Sequence, residues 1–232
     1  MVRLSVMSAQ SFTPAAGNPK YTRYYDAVIA LLTREDRWRC AAIAQLALKP
    51  RDTVVDIGCG TGSLAIRMKQ QQPDARVVGV DPDPQVLAIA EAKVRRAGVE
   101  VEFVQAMGDR AVERIGPGIA DKVVSSLVLH QCPVPMKTAI IATMFALLRP
   151  GGELVIADFG VQRDALMRLG FRIVQFADGK QDTQPNADGI LPGLIERAGF
   201  ADVAEVSATR TVSGSISLYR ATRPVSADQA SR

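Results

Sequence analysis

Residues 54–65 read Val54-Val55-Asp56-Ile57-Gly58-Cys59-Gly60-Thr61-Gly62-Ser63-Leu64-Ala65. With Thr53 in front, Val54, Val55 and Ile57 make a β-branched run bounded by turn residues, the composition of a buried strand. Gly58, Gly60 and Gly62 follow, and from Leu64 to Met68 the apolar residues take helical spacing. The stretch is a strand, a glycine turn and a helix. Without side chains at the turn, a ligand lying over it can approach the backbone closely.

The spacing of the glycines selects the ligand. A turn that seats a pyrophosphate on a helix N-terminus reads Gly-x-Gly-x-x-Gly. Here it reads Gly-x-Gly-x-Gly, and Asp56 stands two positions before the first glycine. A carboxylate there repels a phosphate and suits a ligand with a cationic amino group. These residues resemble motif I of the class I S-adenosylmethionine (SAM)-dependent methyltransferases, whose donor carries an ammonium, a sulfonium and no phosphate. The resemblance implies that Asp56, Gly58, Cys59, Gly60 and Gly62 bind SAM. For a glycine turn taken alone, a phosphate or nicotinamide site is the alternative.

Downstream segments extend the pattern. Ala75 to Asp81 is a second buried strand ending in an acid, about 20 residues past the turn, where a βαβ unit presents a carboxylate to a ribose diol. Asp81 is assigned the ribose, with Pro82 beside it, and Asp83-Pro84 the start of a helix running to Ala97. Val99 to Gln105 makes a third strand, after which the family has Gly-Asp-Ala and this chain has Ala106-Met107-Gly108-Asp109. Either Met107 packs on the adenine ring or Asp109 reaches its amino group. Ala120 to Leu129 is a fourth strand, broken by His130-Gln131-Cys132-Pro133. The run Ser125-Ser126-Leu127-Val128-Leu129-His130 resembles the fourth-strand motif of the ubiquinone/menaquinone biosynthesis methyltransferase-like branch. That likeness implies Ser125 and Ser126 at the methionine half of SAM and His130 near the transferring methyl. Pro135 to Leu148 is an amphipathic helix, Arg149-Pro150-Gly151-Gly152 a tight turn, and Glu153 to Ala157 a fifth strand.

The ends and the late insertion vary more. Residues 1–20 and 224–232 read as loose, and residues 21–223 as the methyltransferase domain, with N-terminal lid helices at 21–49 and a substrate cap at 160–188. Tyr24-Tyr25 and Trp38-Arg39 are similar to residues in the N-terminal helices of the quinone branch, which places Tyr25 among the cofactor contacts; packing alone is the other use of such residues. In the cap, Leu166, Leu169, Ile173 and Phe176 form a stripe that either lines an apolar acceptor pocket or covers core. Val203 to Thr211 and Ser215 to Thr222 close the chain as a hairpin. The expected fold is therefore α/β, a Rossmann-like seven-stranded, mostly parallel sheet with a C-terminal antiparallel hairpin and helices on both faces.

Bulk properties narrow the function. The 232 residues are 47% hydrophobic and 22% charged, ordinary for one globular domain. A net charge of +4 without a Lys/Arg-rich run argues against a nucleic-acid partner. Three cysteines without metal spacing and a single histidine argue against a metal site. Neither a signal sequence nor a membrane-length apolar run is present, so a cytoplasmic protein is expected, monomeric or homodimeric, with at most peripheral membrane contact. The implied activity is in-line transfer of the SAM methyl to a small apolar or aromatic acceptor, leaving S-adenosylhomocysteine (SAH). His130 is either the base that takes the acceptor's proton or a pocket-shaping residue. Whether the acceptor atom is carbon, nitrogen or oxygen stays open. A non-catalytic SAM-binding protein and an NAD-dependent dehydrogenase are the alternative functions.

Overall fold

A computed structural model describes residues 34–225. The segment 21–33, with Tyr24 and Tyr25, and the tail 226–232 lie outside the described residues. In chain order the elements are α1 (Glu35–Leu46), β1 (Thr53–Ile57), α2 (Ser63–Gln71), β2 (Arg76–Asp81), α3 (Pro84–Ala97), β3 (Glu102–Gln105) and α4 (Ala111–Ile115). They continue with β4 (Ala120–Ser126), α5 (Val134–Leu147), β5 (Leu148–Phe159), α6 (Ala165–Asp178), α7 (Lys180–Ala187), α8 (Ile190–Arg197), β6 (Ala201–Thr211) and β7 (Gly214–Thr222).

The strands form one seven-stranded sheet in the order β3-β2-β1-β4-β5-β7-β6. Strands β1 to β5 pair in parallel, while β7 runs antiparallel to both β5 and β6. Adjacent β1 residues feed opposite layers, as the two-residue period of a strand requires. Val55 and Ile57 meet α4, α5 and α8 through residues such as Ala111, Ile140, Met144 and Leu194. Val54 points the other way, into a layer with Trp38, Leu64, Met68, Phe171 and Val174 from α1, α2 and α6. Both faces of the central strands are buried, which is why β1 and β2 are rich in β-branched residues rather than alternating with polar ones.

Three expectations shift. β4 stops at Ser126, not Leu129, because the carboxylate of Asp158 collects the Val128 and Leu129 N–H groups at 3.1 and 2.7 Å. Leu127 then takes a left-handed φ of 55°, and Leu129–Gln131 curls into a 3-10 turn. The Arg149-Pro150-Gly151-Gly152 turn is drawn into β5 as an irregularity opposite Ala120 and Lys122. The stripe on α6 faces outward: Leu166, Leu169, Ile173 and Phe176 are 74%, 59%, 51% and 94% exposed, while Met167, Phe171 and Val174 are buried. Both faces of that helix are apolar, and periodicity gives the spacing of a face but not which of two apolar faces turns inward. The stripe therefore neither covers core nor lines an enclosed pocket.

Candidate functional site

The turn after β1 is built as its composition demands. Gly58, Gly60 and Gly62 have φ of 72°, 53° and 74°, a region that side chains disfavour. A Cβ on Gly58 would lie 2.2 Å from a Val128 methyl carbon, so the glycine turn and the turn leading to His130 are in contact. A Cβ on Gly60 would meet nothing within 4 Å, so that position opens to space a ligand can enter. Cys59 is buried, with its sulfur against β2 at Gly79, and only its backbone belongs to the turn. The ammonium of Lys93 holds the loop from α3, donating to Thr61 Oγ1 at 2.9 Å and Ser63 Oγ at 2.6 Å.

Two acids flank the turn. Asp56 is wholly buried, and neither carboxylate oxygen has a hydrogen-bond partner among the described residues. Burial, opposed by Arg39 and reinforced by Asp81, pushes its pKa up to about 7. Asp81 accepts from Gly60 N–H and Asp83 N–H, each at 3.0 Å, which ties the end of β2 to the glycine turn and leaves lone pairs on both oxygens. Burial raises its pKa, while those two backbone bonds oppose the rise. Asp83 caps α3 by accepting from Gln85 N–H at 2.8 Å, and the Pro82 carbonyl accepts from Gln105 Nε2 at 3.2 Å.

Beyond β3, Met107 precedes a 3-10 turn, Gly108–Arg110, which carries Asp109. The Asp109 backbone oxygen accepts from Thr143, and its Oδ1 is buried with no partner among the described residues. At the end of β4, Ser125 Oγ donates to Ile57 O at 2.8 Å, clamping β4 to β1, and Ser126 pairs with Ala157 of β5.

His130 is buried in the turn after β4 with both ring nitrogens engaged. Nδ1 lies 2.8 Å from Asp158 Oδ1 and Nε2 lies 3.3 Å from Asp178 Oδ2 at the end of α6. Burial alone pulls the imidazole pKa down. The charge and hydrogen bond of Asp158, joined by those of Asp178, overcome it and lift the pKa to about 9. The two carboxylates thus favour the charged form of the ring. The Phe159 ring stands edge-on to it at 5.0 Å.

A family model described as a methyltransferase domain matches residues 54–152. A demethylmenaquinone methyltransferase of Thermus thermophilus is 31% identical over 151 residues, covering 64% of this chain and 67% of that protein. The chain belongs to the class I SAM-dependent methyltransferases. A ubiquinone/menaquinone biosynthesis C-methyltransferase of Syntrophotalea carbinolica is 26% identical over 225 residues, 88% of this chain and 91% of that protein. An O-methyltransferase family protein from Burkholderia thailandensis shares the fold, with a TM-score of 0.71 over 91% of this chain at 20% identity. The chain spans 62% of that structure's length.

The residues of this methyltransferase fit its donor. A buried carboxylate without a partner is costly unless a cation arrives, and Asp56 beside the open Gly60 offers one acceptor site for an ammonium. Two residues of the site carry no motif. Asp178 ends a helix with nothing in the sequence to mark it. Lys137 is fully buried on α5 and donates to Leu129 O at 2.5 Å, His130 O at 3.4 Å and Asp182 O at 2.9 Å. A signal for Lys137 does exist: it occupies the apolar stripe of Ile140, Ile141 and Met144, three and four residues ahead of the first two. Its three protons bind the His130 turn to the start of α7. Burial lowers its pKa.

Proposed function

We propose that this methyltransferase transfers the methyl of SAM to a small aromatic or apolar acceptor by in-line displacement, with His130 taking the acceptor's proton. The observation that carries the donor half is the orphaned, buried carboxylate of Asp56 at the open glycine turn. When bound, SAM supplies a methyl already activated by a positive sulfur. The chain's own work is to hold, orient and exclude water. Asp56 takes the ammonium, Asp81 the ribose hydroxyls through its remaining lone pairs, and Met107 or Asp109 the adenine. The unpartnered Oδ1 of Asp109 supports it as the adenine acceptor.

The acceptor half rests on His130 and on relatives named for demethylmenaquinone and for ubiquinone/menaquinone biosynthesis. A hydroxyl attached to an aromatic ring becomes a good nucleophile, at oxygen or at a ring carbon, as its proton leaves. Asp158 orients the imidazole through Nδ1 and stabilises its charged form, while Nε2 is the nitrogen that faces the cap. Residues 160–188, with α6 and α7, serve as that cap.

Incubation with deuterated-methyl SAM and a panel of phenols, quinols, amines and phospholipids, read by mass spectrometry, tests the reading. Labelled phenol or quinol product is expected. SAM binding without label in any member would make the chain a non-catalytic SAM binder. A melting temperature raised by NADH and not by SAH would end the donor assignment as well.

A further inference from the structure

A base needs a free lone pair, and in this structure both ring nitrogens of His130 are engaged. Both ring nitrogens face carboxylates: Asp158 from β5 on Nδ1 and Asp178 from α6 on Nε2. The remaining charged group at the turn, Lys137 of α5, spends its protons on the Leu129, His130 and Asp182 carbonyls and leaves the ring alone. The two carboxylates are not equivalent. Asp158 is 1% exposed and fixed by the Val128, Leu129 and Phe159 N–H groups besides the imidazole. Asp178 is 27% exposed, and its only hydrogen-bond or ion-pair contact among the described residues is Nε2, at a longer 3.3 Å. It sits on the last residue of α6, followed by Gly179 with a φ of 85°. One partner is built in, and the other can leave.

We propose that Asp178 is a positioning residue for methyl transfer, holding Nε2 of His130 while the acceptor site is empty and yielding it to the acceptor's phenol-type hydroxyl. The inference rests on His130 being the base. When Asp178 withdraws, the Nε2 proton goes with it to the carboxylate, which is exposed enough to pass it to water. The freed Nε2 lone pair then accepts from the hydroxyl. As the sulfur–methyl bond breaks and the new bond to the acceptor forms, the hydroxyl proton moves to Nε2, and the ring is again an imidazolium against Asp158. Product departure lets Asp178 return to the Nε2–H of that imidazolium, which restores the starting state. Each cycle moves one methyl and releases one proton. Acceptors without a hydrogen-bond donor cannot replace Asp178 and are refused.

His130 is the only histidine in the chain, so its ring resonances in a 15N-labelled sample need no assignment. The full chain with SAH bound is titrated from pH 6 to 10.5, as wild type and as Asp178→Asn. The ring midpoint is expected to fall by about one pH unit or more in the variant, the effect of losing a nearby opposite charge. Adding millimolar phenol to the wild type should shift the Nε2 resonance and lower the midpoint toward the variant's value, whereas toluene, the same shape without the hydroxyl, should do neither. With an identified acceptor, the acidic limb of kcat/KM should move down in Asp178→Asn by as much as the ring midpoint. A role confined to closing the end of α6 would change the melting temperature and not these pH values. An unmoved midpoint in a folded Asp178→Asn chain, or equal effects of phenol and toluene, overturns the proposal. If both ring responses appear yet no panel member is ever methylated, the positioning contact stands and the catalytic reading of His130 falls.

Discussion

Replacing Asp56 with asparagine should make the apo protein more stable and a poorer SAM binder, with a pH dependence that identifies the cause. Its pKa rises from 3.8 to about 7 on burial. A carboxyl group whose folded pKa is raised destabilises the fold as it ionises, so stability is lost as pH climbs from the unfolded value through the folded one. At pH 5 only part of that penalty is present, and at pH 8 nearly all of it is. The difference between those two pH values is about 3 kcal/mol, which the asparagine variant escapes. The shift of His130 acts in both proteins and cancels. Urea unfolding of wild type and Asp56→Asn at pH 5 and pH 8 gives the comparison directly, and thermal melts should show a gap wider by roughly 6–12 °C at the higher pH. Calorimetry should show SAM affinity of the wild type rising between pH 5.5 and 7.5 with release of a proton, because the ammonium selects the ionised carboxylate. A variant that is less stable than wild type at pH 8, or a stability gap that does not change with pH, would refute the view of Asp56 as a buried carboxylate that Arg39 offsets only in part and that awaits a hydrogen-bonding cation.

The other predictions concern the turn, the imidazole and the buried lysine. Gly58→Ala should lose both fold and SAM binding, since its Cβ would collide with Val128; Gly60→Ala should cost only about 1–2 kcal/mol of strain in a urea melt yet weaken SAM in calorimetry. The His130 contribution, present in full below pH 6.5 and lost as pH rises through about 9, should narrow the stability difference between wild type and His130→Gln by about 3 kcal/mol across pH 6 to 10, as measured by urea unfolding. Lys137→Met leaves three carbonyls without their donor and should destabilise by about 2–5 kcal/mol; turnover should fall further than SAM affinity, because the His130 turn loses its tie to α7.

Much of the fold is legible because its strands are buried on both sides. β1, β2 and α3 end within a residue or so of where β-branching, Asp83-Pro84 and Gly98 put them. What was not legible depends on contacts far apart in sequence. The end of β4 is decided by Asp158, about 30 residues on, which competes with the sheet for two N–H groups. Residues 180–187 are polar and contain Pro185, so no periodicity marks α7. It is held instead by side-chain hydrogen bonds, among them the buried bond from Asn186 Nδ2 to Phe159 O at 3.1 Å and that from Thr183 Oγ1 to Gly179 O at 2.7 Å. At the site, the glycines and Asp56 declare themselves through spacing, whereas Asp178 meets His130 only because α6 folds back over the strand ends. Sequence separation hides that encounter.

The strand order has a bearing on how the chain is made. β7 lies between β5 and β6, so the long parallel strand β5 has its second neighbour supplied by residues that leave the ribosome last among those described. Until then the edge running through Leu154, Val155 and Ile156 is open to any strand that passes, including one from another nascent copy. A truncation that removes residues 214–222 would keep the donor site's sequence intact and still yield a sticky product, recovered in inclusion bodies rather than as a smaller enzyme.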